Sequence, residues 1–202
     1  MFATSFVLGY HGCDKEVGER ILRSDEHVGV SSNRYDWLGA GAYFWENSPE
    51  RALTWAAFLK RHPPEPRRRI VEPFVIGAII DLGNCLDLTD ATSLQIVRSG
   101  YDEFQRASAI AKADLPVNEP ARGGDEDLVK RHLDCAVINF VHLLRERENL
   151  KAYDSVRGVF TEGGALYPGA KIMAKTHVQI CVRDPKARIR GYFRPLKGGA
   201  QS

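Results

Sequence analysis

The chain has 202 residues, 44% of them hydrophobic, enough for a real core and near the length at which one domain is the default. A net charge of +2 is too mild to mark a nucleic-acid binder on overall balance. Four scattered cysteines, Cys13, Cys85, Cys135 and Cys181, form no C-x-x-C pair and no Cys/His cluster at zinc-finger spacing, which argues against a disulfide framework or a structural metal and fits a reducing cytosol. The opening "MFATSFVLGYHG" has no basic n-region and only a short apolar run, so a cytoplasmic protein without a membrane span is expected.

From Ala3 to Tyr10 the β-branched and aromatic content predicts a strand, and Asp14 then caps a helix to about Leu22, with Val17, Ile21 and Leu22 on one side. This reading puts His11 and Gly12 on a strand-to-helix turn. Gly39 and Gly41 break the chain before a short aromatic strand, Tyr43 to Trp45, and Ser48 with Pro49 opens a helix carrying Ala52, Trp55, Ala56 and Leu59 at helical spacing. The loop "RHPPEPRRRI" follows; its Arg67, Arg68 and Arg69 suit phosphates, although a solvated loop is the commoner reading. Glu72 to Leu82 is an apolar run of buried-strand length.

Helical patterning then takes over, from Thr92 to about Lys112 and from Asp127 to about Glu148, with "DLPVNEPARGGDED" as the loop between. Strands return in the last part: one between Arg157 and Glu162, then Thr176 to Arg183 and Ile189 to Phe193, separated by Gly/Pro turns. The tail from Lys197 is expected to be disordered. The chain therefore reads as one α+β domain over 1–196, with strands at both ends and a helical insertion at about 89–153.

Several standard chemistries fail on their motifs. "GAG" at Gly39 to Gly41 precedes a strand, whereas a dinucleotide fingerprint needs its glycines between strand and helix, and no P-loop, G-x-S-x-G or H-E-x-x-H occurs. Cys13 lies too close in sequence to His11 for the usual fold-assembled cysteine–histidine pair.

Three segments remain: "GYHGC", "LGAGAYFWE" and "THVQICVRDPKARIRGYF". In this order they resemble the diphtheria-toxin and poly(ADP-ribose)-polymerase group of ADP-ribosyltransferases. That group is marked by a histidine–glycine on the first strand, a "GxGxYF" segment and a late strand carrying a glutamate. Here the first two are His11-Gly12 and "LGAGAYF" with Tyr43, and Gln179 stands where the glutamate would be. The resemblance covers about the first 60 and last 30 residues. It implies a split β-fold of two small antiparallel sheets around an NAD cleft, with NAD as substrate and no metal.

By that resemblance His11 contacts a ribose hydroxyl, Gly12 bonds the nicotinamide carboxamide through its backbone, and Tyr43 stacks on the nicotinamide ring. Trp55 is a second wall of the slot or a core aromatic. Gln179 can hydrogen-bond the ribose 2′-hydroxyl, but a neutral amide brings no charge to an oxocarbenium-like state. Glu162 or Glu46 would then supply the carboxylate, and His177, on the same strand face as Gln179, acid–base help. Arg157 suits the NAD pyrophosphate and equally a structural salt bridge.

Loss of the glutamate favours single transfer over polymer synthesis, so the implied function is that of a mono-ADP-ribosyltransferase, of the kind used as a toxin or defence effector, that releases nicotinamide and modifies nucleic acid or protein. An inactive module of the same fold that binds NAD or ADP-ribose is the alternative, and RNA 2′-phosphotransferase chemistry, whose arginine- and histidine-rich pattern is not evident, ranks third. The helical insertion would dock a protein target or an antitoxin.

Overall fold

The computed structural model describes residues 6–24, 26–63, 69–120 and 127–196. Arg67, Arg68 and the tail from Lys197 lie outside them. In chain order the elements are β1 (Phe6–Asp14), α1 (Lys15–Arg23), β2 (Ala42–Glu46), α2 (Pro49–Arg61), β3 (Pro73–Asp81), β4 (Cys85–Asp87), α3 (Ala91–Ala111), α4 (His132–Arg147), β5 (Ser155–Phe160), β6 (His177–Val182), α5 (Pro185–Arg188) and β7 (Ile189–Phe193).

The strands form one mixed sheet in the order β4-β5-β6-β2-β1-β3-β7, in place of the two antiparallel sheets expected from sequence. Two features explain the difference. β4, which the sequence reading missed, is only three residues long and pairs parallel with β5. The two halves of the sheet meet where β1 and β2 pair, and there only Gly9 with Glu46 and Tyr10 with Trp45 are in register. By contrast β1 pairs with β3 over all nine residues, Phe6 to Asp14. Hence His11 and Gly12 belong to a strand that continues to Asp14 rather than to a turn, and the sheet is forked beside them.

Alternation along the strands sends side chains to two cores. Ala42, Phe44, Ile180 and Val182 join Ile76, Ala78, Ile80 and α1's Ile21 in one. Cys181 joins Leu38, Leu86, Val156 and α4's Ile138 and Val141 in the other, against which Trp37 and Tyr43 pack. Phe44, Ile76, Ile80 and Ile180 are wholly buried, each contributing about 1.5–3 kcal/mol.

Local signals set most boundaries. Asp14 caps α1 by accepting the Glu16 N–H at 3.0 Å, and its other carboxylate oxygen takes the Val71 and Glu72 N–H groups at 2.7 and 3.1 Å. One side chain thus starts the helix and fastens the chain entering β3. Ser48 stands at the start of α2 without a side-chain cap, and Pro49 fills the first turn. α3 ends as Lys112 turns left-handed at φ 53°. α4 begins at His132 rather than Asp127, because Lys130 instead exchanges backbone bonds with Glu119 at 2.8 and 2.9 Å.

Candidate functional site

The fork between β1 and β2 is the first part of the site. His11 Nδ1 lies 2.8 Å from the Tyr43 carbonyl oxygen. A carbonyl only accepts, so Nδ1 carries the proton and Nε2 is the acceptor. Burial holds the His11 pKa below its ordinary value, against the opposing pull of this bond, so the imidazole is neutral. The histidine side chain takes the place of a backbone partner just where the ladder parts. Its donor is therefore occupied, and Nε2 remains as the acceptor.

Gly12 follows by strand logic. The Leu8 carbonyl accepts the Asn47 N–H at 3.0 Å, so Leu8, Tyr10 and Gly12 direct their backbone groups toward the β2 edge. The β1–β2 ladder stops at Tyr10, which leaves the Gly12 N–H and C=O facing the fork. The missing side chain has a separate cause: a Cβ at Gly12 would stand 2.0 Å from the Ala52 carbonyl oxygen of α2. Glycine lets α2 lie directly on β1.

Tyr43 is held from the loop before β2. Its hydroxyl donates to the Gly39 carbonyl at 2.8 Å and accepts the Leu38 N–H at 3.0 Å. Gly39 sits at φ 82°, a conformation a side chain would strain. Burial drives the Tyr43 phenol pKa far upward, so its proton stays in place. Tyr43 opposes Cys181 and Trp45 opposes Gln179 in the β2–β6 register, which makes Tyr43 and Gln179 diagonal neighbours on one face.

On that face a polar chain runs through Gln179. His177 Nδ1 lies 2.7 Å from the Lys175 carbonyl oxygen, so this nitrogen also bears the proton and Nε2 accepts. The Gln179 amide nitrogen donates to His177 Nε2 at 2.8 Å, and its Oε1 accepts from Trp37 Nε1 at 2.7 Å. Each of these three bonds pairs one donor with one acceptor. Burial lowers the His177 pKa, in keeping with a neutral ring.

Around His177, Trp45 and Phe160 pack at ring-centroid distances of 6.3 and 5.5 Å. Arg51 on α2 forms an ion pair with Glu162, and both charges act on His177. Trp37, Trp45, Arg51 and Phe160 were not singled out from sequence. Trp37 reaches Gln179 across 142 positions, a separation no local periodicity encodes.

The remaining candidates are placed as follows. Trp55 rests on Trp45 at 6.1 Å and is 44% exposed. Arg157 lies within β5 and donates to Glu46 at 2.5 and 3.0 Å and to Asp87 at 3.0 Å, so its guanidinium is engaged in the salt-bridge alternative. Glu46 and Glu162 are accordingly both paired to arginines. Burial raises the Cys13 thiol to about 11, which leaves it protonated and inert beside α1.

Among the described residues no group of three or more His, Cys, Asp or Glu is placed to hold a metal, and no helix is long and apolar enough to cross a membrane. No family model, curated protein or solved structure matches this chain.

Proposed function

We propose that this chain is an NAD-dependent mono-ADP-ribosyltransferase acting on a macromolecule. The observation that carries the reading is the fork: a neutral His11 bridges β1 to the Tyr43 carbonyl while Gly12 turns its backbone N–H and C=O to the same unpaired edge. A carboxamide offers one acceptor and one donor, which such an edge matches. Across β2, on the sheet face opposite the His11 ring, Gln179 of the next strand is bonded to a neutral histidine.

In this reading the C1′–N bond of the nicotinamide ribose breaks and its electron pair leaves with nicotinamide. A nucleophile of the acceptor forms the new bond to C1′, and its proton passes to a base. His177 Nε2 is the neutral base of the cluster once the Gln179 amide turns to the ribose. The amide adds no negative charge near the cationic carbon, so turnover is slow for this chemistry. NAD labelled in the adenylate half, incubated with the protein and cell lysate, should yield a labelled macromolecule, and separate digestion by protease and nuclease identifies its class. Absence of both label transfer and nicotinamide release rejects the enzyme.

A second reading, a module that binds NAD or ADP-ribose without turnover, is favoured by one observation. Gln179 is tied at both ends and the two nearby carboxylates are already paired. Tight NAD binding without nicotinamide release would select it.

A further inference from the structure

Seven rings run without a gap from the candidate site to the surface. Trp37 packs on Phe160 at 5.2 Å, Phe160 on His177 at 5.5 Å and His177 on Trp45 at 6.3 Å. Trp45 then meets Trp55 at 6.1 Å, Trp55 stacks on Phe58 at 5.5 Å and 18°, and Phe58 meets His62 at 4.5 Å. The inner end is buried: Trp45, Phe160 and His177 are all below a tenth exposed. The outer end is open, with Trp55 at 44% and Phe58 at 38%.

Core packing does not account for the outer rings. α2 already has its buried face in Ala52 and Ala56, set against β1. The stripe at positions 51, 55, 58 and 62 is Arg51, Trp55, Phe58 and His62, with no aliphatic anchor of the kind a protein groove takes from a docking helix. One cation borders it: Arg61, three residues after Phe58 in the last turn, whereas the Arg51 charge is met by Glu162 and Lys60 lies on the opposite side of the helix. Planar rings beside a cation match the two needs of an unpaired strand, stacking for its bases and positive charge for its phosphates.

We propose that the outer face of α2 binds single-stranded nucleic acid and leads it toward Gln179 and His177. The binding stands by itself, whereas use of the strand as the ADP-ribose acceptor rests on the function proposed above. Stacking a base on Trp55 or Phe58 needs no sequence readout, so the surface tolerates any sequence.

The test is fluorescence anisotropy of the full chain with a labelled single strand of about a dozen nucleotides, a duplex of the same sequence, and polyglutamate as competitor. The single strand should bind more tightly than the duplex, and Trp55→Ala and Phe58→Ala should each weaken it roughly tenfold. Both side chains are exposed, and a thermal melt establishes that the variants fold. Arg61→Gln should weaken binding and flatten its salt dependence by about one charge. Binding unchanged in Trp55→Ala, a duplex bound equally well, or a strand displaced no better by unlabelled strand than by polyglutamate overturns the proposal. Nicotinamide release is read in parallel: a protein that binds the strand without releasing nicotinamide keeps this surface and loses the enzyme, and the reverse result loses the surface alone.

Discussion

Trp37 Nε1 donates to Gln179 Oε1 at 2.7 Å, and this bond fixes which way the amide points, so that its nitrogen faces His177 Nε2. The consequence concerns charge. With glutamine the three side chains form a neutral relay, while a carboxylate at the same place would face the His177 lone pair and favour its protonation. Gln179→Glu should therefore raise the His177 pKa, read by NMR titration of the imidazole. Nicotinamide release should rise roughly tenfold or more, since the carboxylate also opposes the cationic ribose. An unmoved His177 titration would show that the two side chains do not meet in solution.

Arg157 joins three elements, tying β5 to Glu46 at the end of β2 and to Asp87 of β4. Its side chain is 20% exposed and that of Glu46 12%, so removing the cation strands a mostly buried carboxylate. Arg157→Met should cost about 2 kcal/mol, short of the loss for a fully buried pair, measured by urea unfolding. KM for NAD should hold if the residue is structural. A large rise in KM with stability intact would give Arg157 back to the pyrophosphate.

His142 has both ring nitrogens buried without a hydrogen-bond partner among the described residues. Burial pushes its pKa down to about 4, and Arg183 and Arg145 push the same way. Between the usual 6.5 and about 4, the unfolded chain binds a proton here that the folded chain does not, so stability falls as pH falls through that window. The loss attributable to this residue is at most about 3 kcal/mol, and His11 and His177, also lowered, add losses of the same sign. His142→Phe preserves an aromatic ring against Tyr153, 6.0 Å away. It should flatten the decline in melting temperature from pH 6.5 to 5. An unchanged slope would mean that His142 is protonated in the folded protein.

Much of the fold was legible because its signals are local. Asp14 as a cap, Pro49 at a helix start and the apolar run of β3 each act within a few residues, and α1, α2, α3, β3 and β7 lie close to their expected places. What escaped depends on partners far along the chain. β4 is three residues long and exists because β5, some seventy positions later, pairs with it. Whether the strands make one sheet or two depends on the two residue pairs at Gly9 and Tyr10.

The site divides in the same way. His11, Tyr43, His177 and Gln179 were named from sequence; the fold bonds the His11 ring to the main-chain carbonyl of Tyr43 and the His177 ring to the Gln179 amide, with the two rings on opposite faces of the sheet. Trp37 and Arg51, which hold Gln179 and Glu162, were invisible because nothing near them in sequence reports contacts more than a hundred positions away. Gly12 was named for its backbone, and the structure adds a packing reason for its missing side chain, the Ala52 carbonyl of α2.

The central claim is that the His11 fork holds NAD for cleavage, and the most direct measurement is nicotinamide released from NAD by the purified full chain and by its His11→Ala variant. The account predicts release by the parent protein and a loss of roughly a hundredfold or more in the variant, with a thermal melt establishing that the variant folds. Release by His11→Ala at the parent rate, or none by the parent protein and by Gln179→Glu alike, would contradict it.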